Sequence, residues 1–246
     1  MKPWIEAVAT DVDGTLSLSR EDYRLEIDAI NAIRELEANG IKVMFISGNA
    51  LPVAAGLARY CGATGPVIAE NGCLIYYKNK VIPIVRETTK EIADDIAKTF
   101  KEYVIPSWQN AYRLYDYAFY IKGEYRKRAY EVLERITRYI ENKGYSNQVK
   151  IMYSGFALHV TPRDGGKSIG LRRACELIGV RLENVVGIGD SMTDIELLQT
   201  VGIPVAVGNA DDELKKIAKY VSAQPSGKGF AEIARIILTK PHLLLK

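Results

Sequence analysis

Short β-branched runs alternate with segments of helical period at both ends of this chain, and the alternation breaks in the middle. The first run, IEAVAT (5–10), precedes a segment over 20–40 in which Ile27, Ile30, Ile33 and Leu36 recur at helical spacing and Gly40 supplies a stop. IKVMFIS (41–47), a helix near 51–60 and PVIA (66–69) follow, so this part reads βαβαβ. The same order resumes near residue 164 with helix 166–179, strand VVGIGD (185–190), helix 192–201, strand PVAVG (204–208), helix 212–218 and strand YVSA (220–223). Strands joined through helices line up parallel, and the connecting helices cover both faces of the sheet.

Between these halves the linkage changes. GCLIYYKNKVIPIV (72–85) predicts a hairpin turning at Lys78-Asn79-Lys80. A helix over 88–104, an aromatic strand (112–122), a charged helix (124–142) and two short strands (149–153 and 156–162) come after it. The expected fold class is α/β: a Rossmann-like parallel-sheet core with helices on both faces (1–83 and 159–246), interrupted by a smaller α+β insert (84–158).

Composition narrows the function. A chain of 246 residues that is 48% hydrophobic is long enough for a sizeable core. Its 33 basic and 30 acidic residues are scattered, which gives no nucleic-acid signature and leaves small anions open as partners. Cys61, Cys73 and Cys175 lie far apart, in neither a zinc spacing nor a disulfide framework, so a reducing, cytoplasmic setting is expected. No segment approaches 18 uninterrupted apolar residues, so no membrane partner is expected, and the chain is read as a monomer or homodimer.

In an open parallel sheet, ligands bind beyond the carboxyl ends of the strands. At those ends stand Asp11 and Asp13 after the first strand, Ser47, Gly48 and Asn49 after the second, and Asp190 and Asp194 after VVGIGD. Carboxylates crowded together repel unless a cation joins them, and an all-oxygen set in a chain with only two histidines points to Mg²⁺ rather than zinc. Ser47 brings a hydroxyl donor and Lys167 a fixed positive charge at a helix start, both suited to phosphate oxygens. Such a set performs phosphoryl transfer: one carboxylate attacks phosphorus while a neighbour gives and takes protons. Gly14 allows the turn that brings both carboxyls of the DVD stretch to one cavity.

DVDGT (11–15), ISGN (46–49), the lysine of DGGKSIG (164–170) and GDSMTD (189–194) resemble, in order, the four motifs of the haloacid dehalogenase superfamily of phosphatases. The insert after the third strand, with ENG at 70–72, resembles the Cof-like branch, which carries a large α+β cap between the second and third motifs; within it the chain is similar to archaeal phosphoglycolate phosphatases. The resemblance implies that Asp11 is the nucleophile and a Mg²⁺ ligand, and that Asp13 is the general acid and base, lending its backbone carbonyl to the metal. It further implies that Ser47 and Gly48 bind the transferring phosphoryl group, that Lys167 binds phosphate and offsets Asp11, and that Asp190 ligates Mg²⁺ with Asp194 beside it. The implied activity is hydrolysis of a phosphomonoester through an aspartyl-phosphate, with 2-phosphoglycolate and water giving glycolate and phosphate. The cap is short for that branch, which implies a small phosphorylated metabolite.

Other readings stay open. A sugar-phosphate phosphatase or a phosphomutase would use the same motifs, and Asn49, where many relatives carry the arginine of TGR, leaves nucleotide or sugar preference undecided. A phospho-accepting receiver also joins acids, a hydroxyl and a lysine on a parallel sheet, but needs only about 120 residues and has no use for Asp13 as an acid or for the insert. The GGKS stretch (165–168) lacks the glycine at Thr161 that a phosphate-cradling loop requires. Cys175 and Arg181 have a Cys-x5-Arg spacing inside a helical segment, so Cys175 is expected in the core. His159, alternating with Ala157 on a strand, reads as a packed side chain rather than a ligand.

Overall fold

The computed structural model describes residues 4–245. It opens with β1 (Ala7–Thr10), α1 (Ile27–Ala38), β2 (Lys42–Phe45), α2 (Leu51–Cys61) and β3 (Val67–Ala69). A hairpin of β4 (Leu74–Tyr77) and β5 (Lys80–Pro83) leads into α3 (Lys90–Thr99), β6 (Val104–Pro106), β7 (Tyr117–Ile121), α4 (Ala129–Asn142), β8 (Val149–Tyr153) and β9 (Ala157–Pro162). The chain then returns to α5 (Lys167–Ile178), β10 (Val185–Gly189), α6 (Ile195–Leu198), β11 (Ile203–Ala206), α7 (Asp212–Ile217), β12 (Tyr220–Val221) and α8 (Ser226–Thr239).

Five strands pair in parallel in the order β12-β11-β10-β1-β2, so β1 lies between the strands that lead to the other two acidic and hydroxyl motifs. Alternate residues of a strand face opposite ways, and the two sides of this sheet bury different helices. Val8, Val43, Phe45 and Val186 pack with α1, α2 and α8, whereas Ala7, Ala9, Met44 and Val185 pack with α5, α6 and α7. Both faces are therefore covered, as a parallel sheet rich in Val, Ile and Ala demands.

The insert folds as an antiparallel sheet, β6-β7-β9-β8, with α3 and α4 laid on one face, and forms a cap. Val132, Ile136 and Ile140 recur at helical spacing on α4 and bury against Phe119, Leu158 and Val160. β9 pairs along its whole length, out to Pro162, so the expected join at 158/159 falls inside a strand of the cap sheet.

Several expected elements differ. PVIA, expected as a third short parallel strand, forms β3, which meets the central sheet through one parallel bridge, Ile46 to Ile68, and pairs antiparallel with β4. The strand is short because Glu70 and Asn71 take positive φ (51° and 54°), which turns the chain sharply. The helix expected over 20–40 starts only at Ile27, whose N–H is accepted by the Glu26 side chain, while Ser17 bridges Leu25 and ties residues 18–24 into a loop. α8, not anticipated, packs Phe230, Ile233, Ala234 and Ile237 into the core. Among the described residues no helix is long and apolar enough to cross a membrane.

Candidate active site

Three adjacent strands deliver the site. β10, β1 and β2 end side by side, and the residues that follow are Asp190, Asp11 and the Ser47-Gly48-Asn49 turn. Lys167 enters from the first turn of α5, and its Nζ donates to Asp11 Oδ1 and Asp194 Oδ1, both at 2.6 Å. The lysine is only 2% exposed, so this bridge is screened from water and strong for its length. α5 can start so near because of Gly72: it has φ +92°, and a Cβ there would overlap the Gly166 carbonyl.

The remaining contacts fix the loop after β10. Asp194 Oδ2 accepts the backbone N–H groups of Asp190 and Ser191, each at 3.0 Å, which makes it both the helix cap and the partner of Lys167. Asp190 Oδ1 accepts from Thr15 Oγ1 at 3.1 Å. Its Oδ2 accepts from Arg20 Nε at 2.5 Å; Arg20 also donates to the Asp190 carbonyl and reaches Asp211 Oδ1 at 2.8 Å. Gly14, at φ +87°, passes directly over this carboxylate: an added Cβ would lie 2.5 Å from Asp190 Oδ2.

Electrostatically the cluster carries too much negative charge for its protein cations. Burial, then the charge of Asp194, pushes the Asp11 carboxyl well above its usual range despite Lys167. Burial and Asp194 likewise push Asp190 up to about 6, against the pull of Arg20. Burial alone would lower Lys167, but Asp11 and Asp194 more than offset it and raise the ammonium above its ordinary value. Asp11, Asp190 and Asp194 each offer a carboxylate oxygen, all within 4.8 Å of one another. An oxygen-only set of this charge suits a hard divalent cation, so the residues present fit a metal.

Asp13 stands apart from that cluster. Its Oδ2 accepts from Asn49 Nδ2 at 2.7 Å, and burial raises its carboxyl although Asn49, Lys167 and His159 act in the other direction. Ser47 is 1% exposed, and its Oγ accepts from the backbone N–H (3.1 Å) and side-chain amide (2.9 Å) of Asn49, leaving the hydroxyl proton for another acceptor. A cavity of about 370 Å³ brings together Asp11, Asp13, Gly48, Lys167 and Asp190 on the core side with Trp108, Gln109, Arg113, Tyr120, Phe156 and His159 of the cap. Ser47 and Asp194 are buried beside it.

The cap is fastened at this cavity. Gln109 Nε2 donates to Asn49 Oδ1 and its Oε1 accepts the Ala50 N–H, both at 2.7 Å. Arg113 Nη2 donates to the Gly48 carbonyl at 2.8 Å. From the core, Glu70 accepts the N–H groups of Leu114, Tyr115 and Asp116. The bonds from Arg113 and to Glu70 involve charged groups, and such hydrogen bonds are each worth about 1.5–3 kcal/mol.

The haloacid dehalogenase-like hydrolase family matches residues 8–155 and 127–233 of this chain. A phosphoglycolate phosphatase of Staphylothermus marinus is 43% identical over 238 residues, spanning 96% of this chain and 99% of its own. The chain belongs to the haloacid dehalogenase-like hydrolases. Phosphoglycolate phosphatase 1 of Saccharolobus solfataricus is 42% identical, over 95% of this chain and 96% of its own. A crystal structure from Thermoplasma acidophilum superposes with a TM-score of 0.81 at 24% identity, covering 95% of this chain and 98% of that one. This hydrolase is a phosphatase with the core-and-cap architecture of its family.

Sequence reasoning about the hydrolase singled out Asp11, Asp13, Ser47, Gly48, Lys167, Asp190 and Asp194, and all stand in or against one cavity. It passed over Arg20, Gln109, Arg113 and Asp116, and it read His159 as packing alone. His159 is buried, but its ring also lines the cavity and pairs with Asp116 at 2.8 Å. The available signal was chemical: charged residues in the otherwise aromatic NAYRLYDYAFY stretch.

Proposed function

We propose that this phosphatase hydrolyses small phosphomonoesters through an aspartyl-phosphate on Asp11, with Mg²⁺ as its cofactor and 2-phosphoglycolate as its substrate. The observation that carries the reading is the buried Lys167 bridge between Asp11 and Asp194, set within an acidic cluster that opens to a cavity. Near-full-length relatives named phosphoglycolate phosphatase support the substrate.

In this reading an oxygen of Asp11 forms a bond to phosphorus as the ester P–O bond breaks. The leaving alkoxide takes the proton of Asp13, whose buried carboxyl is raised and so suited to carry one. Asp13, now ionised, accepts a proton from water as that water attacks phosphorus; phosphate departs and Asp11 is restored. Lys167 holds Asp11 in place, and its charge, with the Ser47 hydroxyl and the Gly48 turn, faces the phosphoryl oxygens. Asp11, Asp190, the Asp13 carbonyl and Asp194 beside them would hold Mg²⁺, which supplies Lewis-acid stabilisation of the charge on the phosphoryl group. The insert, taken over 84–158, serves as the cap that excludes water.

The test is release of inorganic phosphate from 2-phosphoglycolate by purified protein with and without Mg²⁺. Steady Mg²⁺-dependent release supports the reading. A single stoichiometric phosphorylation, or turnover of sugar phosphates alone, contradicts it.

A further inference from the structure

The cavity has a second charged wall, on the cap, that the chemistry at Asp11 does not use. Arg113, at the end of a 3-10 turn, and His159, on β9, both line it. Behind them lies Asp116, fully buried, whose Oδ2 accepts from Arg113 Nη1 at 2.9 Å and meets His159 Nδ1 at 2.8 Å, while Oδ1 accepts from Thr161 at 2.5 Å. One carboxylate thus serves both the guanidinium of Arg113 and the ring of His159. Burial would raise Asp116, but His159, Arg113 and Thr161 together hold it below its ordinary value. Glu70, which Asp116 influences, is engaged by three backbone N–H groups, and Asp13 faces His159 from the core side.

Two nitrogens of this cluster are left over. Arg113 Nε is the one buried side-chain nitrogen or oxygen without a hydrogen-bond partner among the described residues. His159 uses Nδ1 on Asp116, and its Nε2 makes no hydrogen bond to any described residue. The ring sits close to the phosphate turn: a Cβ built on Gly48 would lie 3.1 Å from His159 Cε1. Aromatic residues Trp108, Tyr120 and Phe156 complete the cap wall.

We propose that the Arg113–Asp116–His159 cluster is a carboxylate subsite, in which His159 Nε2, the ring nitrogen that Asp116 leaves free, hydrogen-bonds the carboxylate at the far end of the substrate. Arg113 adds its permanent charge and locks the cluster to the Gly48 carbonyl. Because the ring abuts the turn that faces the phosphoryl group, the subsite suits an ester whose two anionic ends are separated by a short carbon skeleton. The subsite deepens the hydrolase reading above and rests on it.

The experiment compares kcat/KM for 2-phosphoglycolate, 3-phosphoglycerate and the uncharged two-carbon analogue 2-hydroxyethyl phosphate, in the parent enzyme and in His159→Gln. The parent favours the carboxylated esters, and His159→Gln lowers that preference about 10- to 100-fold, chiefly through KM, as loss of one charge-assisted hydrogen bond demands. Asp116→Asn, which keeps a partner for the ring without its charge, shifts the preference the same way by less. A parent enzyme that releases phosphate equally from charged and uncharged esters overturns the subsite and leaves the chemistry at Asp11 standing. A preference that persists in both variants also overturns it. If the parent prefers 3-phosphoglycerate and His159→Gln erases that preference, the subsite stands and the two-carbon substrate falls.

Discussion

The molecule buries two charged clusters on opposite walls of one cavity, and their balances are opposite. In the core, Asp11, Asp190 and Asp194 outnumber the lysine among them, and the carboxyls of Asp11 and Asp190 are pushed up. In the cap, Arg113 and His159 share Asp116, and that carboxyl is held down. A buried cluster with surplus charge is costly unless its complement arrives. On the proposed reading the core wall takes a cation and a phosphorus atom, and the cap wall takes an anion.

The comparison breaks most severely at Asp11. Asp11→Asn keeps the volume and removes the proposed nucleophile, and turnover of 2-phosphoglycolate should fall on the order of 10⁴-fold or more in steady-state assays, with the circular dichroism spectrum retained. Lys167→Met removes the one cation that bridges the core acids. Phosphate release should fall about 10²- to 10³-fold, and denaturant melts should show a loss of about 3–5 kcal/mol, because Asp11 and Asp194 are left buried without it.

The cap cluster gives the smaller effect, with a distinct pH signature. A carboxyl whose folded value is depressed stabilises the protein above its unfolded value, near 3.8, and loses that contribution as pH falls through the folded value. Asp116→Asn should therefore be less stable than the parent at pH 6 by about 1–3 kcal/mol, and urea melts should show the gap narrowing below pH 4. A gap independent of pH would mean that Asp116 acts by packing and not by charge.

The core half of this comparison is legible in the sequence and the cap half is not, for a physical reason. Parallel strands end together, so Asp11, Ser47 and Asp190 can be placed at one sheet edge from strand assignments alone. Arg113, Asp116 and His159 meet only through the antiparallel register that sets Ala118 against His159, and 40 residues of chain intervene between those two. No local pattern encodes that register. Arg20 was lost differently: the helical period over 27–36 invited an early start, whereas residues 18–24 form a loop that carries Arg20 onto Asp190. α8 was obscured by the glycines of its first turn, Gly227 and Gly229, although Phe230, Ile233 and Ile237 keep helical spacing behind them.

The central claim is that Asp11 carries the phosphoryl group. Its most direct test is acid-quenched mass spectrometry of the parent enzyme, stopped within the first turnover of 2-phosphoglycolate in the presence of Mg²⁺. The account predicts a gain of one phosphoryl mass confined to the peptide containing Asp11. Turnover by the parent enzyme with no adduct on that peptide, together with activity surviving in Asp11→Asn, would contradict it.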